Sequence, residues 1–135
     1  MSSTWQTDEV PNLYLTALCC WREARGESRD GWRGVLHVIR DRALRPSWWG
    51  NGYVGVILQP QQFSSFNHDS SQAVLIPGDR DPVFPQILEC AANVLSGDDE
   101  DLTGGATYYH TYDVHPDWDK HLTVTATIGS HIFYK

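Results

Sequence analysis

Apolar side chains recur at steps of three and four residues in the N-terminal part of the chain, as one face of an α-helix requires. The first such pattern spans residues 11–25 and ends at Gly26. Its apolar positions are Leu13, Ala17, Cys20, Trp21 and Ala24. A second pattern spans residues 31–44 and stops before Pro46, because the residue before a proline disfavours the helical conformation. We predict that these two helices form the central pair of the core.

The middle of the chain is interrupted by glycine, proline and aromatic residues. Residues 47–55, SWWGNGYVG, predict a loop, and residues 55–66 predict a short apolar segment closed by Pro60. A third helix is predicted to open at Asp81, an N-cap residue followed by Pro82, and to end at Gly97.

The C-terminal third has a different pattern, rich in Thr, Val, Ile and Tyr. Apolar residues alternate with polar ones through Leu122, Val124, Ala126 and Ile128, which is typical of a half-buried strand. We therefore expect an α+β fold that is mainly helical, with a small strand-rich C-terminal part.

Length and charge narrow the possible functions. With 135 residues the chain has the size of one domain, and we expect a single domain over residues 1–135. The formal net charge is −7, which argues against a nucleic-acid partner, since such a surface needs an excess of Lys and Arg. The acidic run at residues 98–101 is predicted to be a solvated loop.

Cysteine usage and the N-terminal sequence indicate the compartment. Three cysteines cannot all pair, and we expect all three to be buried thiols. The first residues, MSSTWQTDEVP, show neither a basic start nor an apolar stretch of signal-peptide length, and no apolar run is long enough to span a bilayer. We expect a protein made in the cytoplasm without a signal peptide and without membrane insertion.

The segment WREARGES carries two glutamates four residues apart, Glu23 and Glu27. If the helix continued through Gly26, both carboxylates would lie on one face. Two interpretations follow from this spacing. The pair consists either of solvated charges at a helix end or of groups that take part in chemistry.

Five segments in order resemble the SleB/CwlJ-type cell-wall hydrolase family. The first, at residues 15–43, holds an apolar helix, the block E-A-R-G-E and a glycine-containing helix, with Asp41-Arg42 where the family has a pair such as Asn-Arg. The others are VILQPQQFSSF, ILECAANVLSG, GGATYYHT and TIGSHIFYK. The resemblance as a whole covers roughly residues 13 to 134.

The resemblance implies a fold similar to the lysozyme-like transglycosylases and cleavage of peptidoglycan glycan strands, with Glu23 as the catalytic acid. A lytic transglycosylase can work with one carboxylate, whereas an ordinary glycosidase needs a second. The acids open to that second role are Glu27, Asp113 and Asp117; for Glu27 the alternative is a structural ion pair with a nearby Arg. Alternative functions are a muramidase that hydrolyses the same bond and a non-catalytic glycan-binding module.

The same motifs supply candidate substrate-binding residues, which are Gln62, Phe63, Ser64, Tyr108, Tyr109 and His131. Gln and Ser can bond acetamido and hydroxyl groups, and Phe can stack on a sugar ring, although a purely structural Phe is an equal alternative. Tyr108 and Tyr109 alternate on an extended segment, so one should face the core and the other the cleft. His131 orients a neighbour by hydrogen bonding or is a satisfied core histidine.

The histidines invite comparison with metal-dependent peptidases. His110, His115, His121 and His131 are separated by five, six and ten residues, which matches no zinc pattern. We expect no metal and no cofactor, and a monomer whose partner is the peptidoglycan glycan strand. The absence of a leader and of a wall-binding domain suits an endolysin that reaches the wall after release.

Overall fold

A computed structural model describes residues 9–59, 62–67 and 75–135, without the side chain of Ser64. Four α-helices lie at α1 (Glu9–Ala24), α2 (Arg29–Leu44), α3 (Gly52–Ile57) and α4 (Phe84–Leu95). Three strands lie at β1 (Tyr108–Thr111), β2 (Val124–Ile128) and β3 (His131–Tyr134), and short 3-10 turns at Ser64–Phe66 and Asp117–Lys120. The prediction of a mainly helical α+β fold is confirmed.

Helices α1 and α2 form the predicted pair, and α4 packs against both. All five apolar positions predicted for the first helix are buried. At the junction of the pair, the hydroxyl of Ser28 accepts a hydrogen bond from the Gly31 amide and caps α2. The indole N–H of Trp32 donates to the carbonyl of Ala24 at 2.9 Å, which ties the first turn of α2 to the last residue of α1.

The third predicted helix is α4, and its start and end follow the predicted signals. The carboxylate of Asp81 accepts hydrogen bonds from the amides of Val83 and Phe84 at 2.9 and 2.8 Å, as a cap does. Gly97, just beyond the helix, has a φ of 86°, which L side chains rarely adopt. The helix begins at Phe84, three residues after Asp81, because the Asp81-Pro82 turn precedes its first helical residue.

The prediction that residues 47–55 form a loop is wrong for their second half, which belongs to α3. Val56 and Ile57 at the end of α3 are fully buried. Because α3 contacts both α1 and α2, burial of these two side chains stabilises a short helix that local propensity does not predict.

The three strands form an antiparallel sheet in the order β1-β3-β2. Tyr109 is paired with Phe133, and Phe133 with Ala126. The inner face of this sheet packs on α2, where Phe133 is fully buried with Val38. Gly34 makes the contact possible, because a Cβ at this position would come within 2.5 Å of the Phe133 ring.

The acidic run at residues 98–101 is only partly the solvated loop that we predicted. The carboxylate of Asp99 contacts Arg33 at 2.9 Å and His37 at 2.8 Å. The carboxylate of Asp101 accepts hydrogen bonds from Thr103 and Gly105 and so shapes the turn that leads to β1. Side chains of α2 hold Asp99, and the following turn holds Asp101. These contacts order the run.

The prediction of three buried thiols is confirmed for Cys19, Cys20 and Cys90. Burial raises the pKa of all three thiols, which disfavours the reactive thiolate. Within the described residues, no helix has both the length and the apolar character that a membrane span needs.

Replacing Gly34 by alanine should destabilise the protein by about 1–2 kcal/mol, because the added methyl group overpacks against Phe133 and outweighs the better helix propensity of alanine. Urea or thermal unfolding measures this. Gly55→Ala is the control, since a Cβ there has no neighbour within 4 Å. Equal stability of the two variants would contradict the packing role of Gly34.

Candidate active site

Glu23 lies in the last turn of α1 and is half-buried. Burial raises the pKa of its carboxyl group, and a hydrogen bond from the Tyr109 side chain opposes the shift without cancelling it. Tyr109 itself has a raised pKa, because it is buried and lies near the Glu23 carboxylate. A carboxylic acid held in this way keeps its proton at a higher pH than a solvated glutamate.

Glu27 has a different environment, because α1 ends at Ala24 and the two glutamates do not share a helix face. Its carboxylate accepts hydrogen bonds from the amide and the hydroxyl of Ser130, at 3.1 and 2.8 Å. Burial alone would raise the pKa of Glu27, but these bonds and the nearby His131 outweigh it and lower the pKa. The alternative of an ion pair with a nearby Arg is not what the structure shows, since the partners of Glu27 are Ser130 and His131.

The turn between β2 and β3 has a glycine where the Glu27 carboxylate packs against it. Gly129, between β2 and β3, has a φ of 57°, which only glycine adopts at little cost. A Cβ on Gly129 would come within 2.7 Å of the Glu27 carboxylate. The closing motif of the chain thus has a glycine where the end of α1 docks onto the sheet.

His131 is buried, with 3% of its surface exposed, and does not line the cleft. Its Nδ1 lies 3.8 Å from the Glu27 carboxylate, and its ring meets the Tyr109 ring edge-on at 5.1 Å. Burial lowers its pKa, although Glu27 opposes this. His131 is therefore a core residue and does not contact the cleft, but it is not the satisfied histidine of that alternative, because its Nδ1 has no hydrogen-bond partner among the described residues.

A cleft of about 340 Å³ lies beside Tyr109. Its lining residues are Arg42, Trp48, Gln62, Tyr108, Tyr109 and Trp118. Gln62 faces the cleft as predicted. The prediction that one tyrosine faces the core and the other the cleft holds in part, because Tyr109 packs against the core but lines the cleft together with Tyr108. Tyr109 packs on Phe133 with its ring and still reaches the cleft, whereas Tyr108 belongs to an aromatic wall with Trp48 and Trp118.

Of the two other candidates from the same motif, Phe63 does not line the cleft. Phe63 is 2% exposed and belongs to the hydrophobic core, so it cannot stack on a sugar and the structural alternative holds. Ser64 lies in the 3-10 turn Ser64–Phe66, and its side chain is outside the described residues. The candidate second acids Asp113 and Asp117 are exposed on the segment after β1, and neither lines the cleft.

Sequence reasoning missed three cleft residues, Arg42, Trp48 and Trp118. Arg42 ends the family-like helix as part of Asp41-Arg42, which was a usable signal. Trp48 is in the segment interpreted as a loop, and Trp118 is in a stretch without any motif. Their common cleft exists only because α2, the loop after it and the sheet come together.

A larger groove of about 610 Å³ lies elsewhere, between α1 and the start of α4. Its lining includes Tyr14, Leu18, Ile76 and Phe84, and it shares no residue with the cleft beside Tyr109. Glu23 lines neither cavity, but Tyr109 of the smaller cleft bonds its carboxyl group, whereas the lining of the larger groove has no basic side chain. Size alone therefore does not make the larger groove the site. Among the described residues, no cluster of three His, Cys, Asp or Glu side chains is arranged to hold a metal ion.

Fold and site define a small α+β domain with a half-buried carboxylic acid next to an aromatic cleft. The family model described as Cell Wall Hydrolase matches residues 26–134, so the chain belongs to the cell wall hydrolase family. The predicted SleB/CwlJ-type family is thereby confirmed, and the chain is a peptidoglycan-degrading enzyme. The matched range includes Glu27 and begins three residues after Glu23.

Two solved structures are similar over the whole chain. One is the catalytic domain of the Bacillus cereus SleB protein, at 26% identity and a TM-score of 0.76, covering 100% of this chain and 95% of that one. The other is the catalytic domain of the germination-specific lytic transglycosylase SleB from Bacillus anthracis, with the same identity and TM-score and 100% coverage of both chains. No curated protein matches the sequence.

Glu27→Gln should destabilise the protein by about 1 kcal/mol at neutral pH, since the bonds from Ser130 are stronger to a carboxylate. The pKa of Glu27 is lower in the folded protein than in the unfolded chain, so ionised Glu27 stabilises the fold above the unfolded pKa of about 4.3. This stabilisation is lost as the pH falls through the folded pKa. The difference between wild type and variant should therefore shrink below about pH 4.

Urea unfolding at several pH values measures this difference. The control is Glu89→Gln, which breaks an exposed ion pair with Arg29 and should cost about 0.5 kcal/mol or less. A Glu27 effect that is independent of pH would contradict the assignment of an ionised, hydrogen-bonded Glu27.

Proposed function

We propose that the protein cleaves the glycan strand of peptidoglycan between N-acetylmuramic acid and N-acetylglucosamine, as a lytic transglycosylase with Glu23 as its catalytic acid. The observation that carries the proposal is the Glu23 carboxyl group, whose pKa is raised by burial and which Tyr109 holds beside the cleft. The relative from B. anthracis, described as a lytic transglycosylase, supports the same reaction class.

The cleft has the chemistry that a sugar needs. Trp48, Tyr108 and Trp118 offer flat apolar faces, and Gln62 offers an amide that can bond hydroxyl and acetamido groups. Tyr109 links this surface to Glu23 through its hydroxyl group. A glycan bound along the aromatic wall would thus have the acid at its edge.

The proposed reaction uses one carboxyl group in two steps. Protonated Glu23 first gives its proton to the bridging oxygen, the bond from the muramic acid C1 to that oxygen breaks, and positive charge develops on the ring. The C6 hydroxyl of the same sugar then attacks C1, and the Glu23 carboxylate takes its proton. The products are a 1,6-anhydro end and a free hydroxyl on the departing sugar, and Glu23 is again protonated.

A single acid is consistent with the surroundings of Glu23. Among the described residues Tyr109 is the side chain that bonds Glu23 and lines the cleft, whereas none of the alternative acids lines the cleft or bonds a residue that does. Glu27 is held by Ser130 with a lowered pKa, which suits an anchor and not a proton donor.

Glu23→Gln should lower the cleavage rate by about 10²–10⁴-fold, because Gln keeps the size of Glu but has no proton to give. The release of soluble fragments from purified peptidoglycan measures the rate, and binding to insoluble wall together with thermal melting shows that the variant is intact. Glu27→Gln is the matched control and should retain cleavage at a temperature where it is folded. More than about a tenth of wild-type activity in Glu23→Gln would exclude Glu23 as the acid.

The products should carry 1,6-anhydromuramic ends, because the sugar's own hydroxyl replaces water as the nucleophile. Mass spectrometry of the digested wall distinguishes the outcomes. Reducing muramic ends would identify a hydrolysing muramidase, and a wall that is bound but not cut would identify a glycan-binding module. The rate should fall as the pH rises through the pKa of Glu23, since the proton donor is then lost.

A further inference from the structure

The guanidinium of Arg42 forms the basic part of the cleft. Its Nε donates to the carbonyl of Thr107 at 2.7 Å, and its Nη1 donates to the amide oxygen of Gln62 at 3.4 Å. These bonds fix the side chain, which is only 6% exposed, at the end of α2. Over residues 9–59, 62–67 and 75–135, the structure records no hydrogen bond from Nη2, which leaves that nitrogen available to a ligand in the cleft.

Among the described residues, no carboxylate balances this charge. In the described part of the chain, no Asp or Glu oxygen lies within ion-pair distance of Arg42, and none of the six residues lining the cleft is acidic. Burial lowers the pKa of Arg42, but an arginine stays charged at any physiological pH. A largely buried cation without a counter-charge is costly, so an anionic ligand gains more here than at an exposed arginine.

Aromatic rings surround the cation and form the adjoining wall. The guanidinium carbon lies 5.3 Å from the ring centre of Tyr108 and 5.6 Å from that of Trp49. Trp48 stacks on Tyr108 at 6.1 Å and is 55% exposed. The wall offers a face for a sugar ring, and the guanidinium of Arg42 lies against the same wall.

We propose that this subsite binds a muramic acid unit whose lactyl group ends in a free carboxylate, with Arg42 as the residue that recognises it. The inference rests on the proposed function for the class of polymer. Of the two alternating sugars, only muramic acid carries an acidic substituent. With a stem peptide attached, its lactyl carboxyl group is a neutral amide; with the peptide removed, it is an anion.

The favoured substrates are therefore glycan strands from which the stem peptides have been removed. The reaction that supplies them is hydrolysis of the amide bond between the lactyl group and the peptide, in which water adds its hydroxyl group to the lactyl carbonyl and a proton to the peptide nitrogen. The protein acts after that step on the same strand.

Binding of matched strands tests the proposal. Peptide-free strands are divided in two, and in one half the lactyl carboxylates are coupled to methylamine to give neutral methylamides. Dissociation constants are measured at fixed ionic strength with Glu23→Gln, so that neither sample is consumed. The carboxylate strands should bind about tenfold more tightly, the effect of one charge-assisted hydrogen bond.

The overall charge of the protein disfavours binding of the carboxylate strands, so a preference for them must come from a local cation. The protein has a net charge of −7, so without a local cation the neutral methylamide strands should bind better. The preference for the carboxylate strands should disappear when Arg42→Gln is added to Glu23→Gln. It should persist when Arg45→Gln is added instead, which removes the same charge from an exposed position close by.

Each outcome decides between the proposals. Equal or weaker binding of the carboxylate strands, or a preference that survives Arg42→Gln, overturns the subsite. If Arg42→Gln does not fold, comparison of the two strand samples with Glu23→Gln alone still decides. Carboxylate-selective binding by a wild-type protein that cleaves neither sample would instead overturn the proposed function and leave the subsite standing.

Discussion

The hydrogen bonds that Glu27 accepts from Ser130 join the two parts of the fold at the site. Glu27 follows the end of α1, and Ser130 is in the turn between β2 and β3. Once this turn is fixed, the pairing of β3 with β1 determines where Tyr109 lies, because Tyr109 is opposite Phe133. The position of Tyr109 next to Glu23 thus depends on a contact between residues 103 positions apart.

The helices and strands were largely predictable because their information is local. Apolar periodicity predicts α1, α2 and α4, alternation predicts β2, and a high content of Thr, Val, Ile and Tyr predicts β1 and β3. The short helix α3 was not predictable, because what stabilises it is burial of Val56 and Ile57 against two other helices. The partners of Asp99 on α2 were not predictable either, because they lie more than 60 residues away in the sequence.

For the site, motifs indicated Glu23, Gln62 and the two tyrosines but not what each side chain contacts. Phe63 shares its motif with Gln62 and is a core residue, because in a compact turn adjacent side chains point in different directions. Arg42 was visible only as a motif position. Its role as a cation facing the cleft depends on Thr107 and Gln62, which the fold brings to it from other elements.

The two glutamates of one five-residue block acquire opposite properties from their surroundings. Glu23 loses water, and because the hydrogen bond from Tyr109 offsets this only in part, its pKa rises. Glu27 accepts two bonds from Ser130 and lies near His131, so its pKa falls. Exchange of their roles would require a protonated Glu27, which gives up the contact that holds the sheet, and an ionised Glu23 in a buried place without a positive partner. These opposite pKa shifts support our proposal that Glu23 is the acid and Glu27 the anchor.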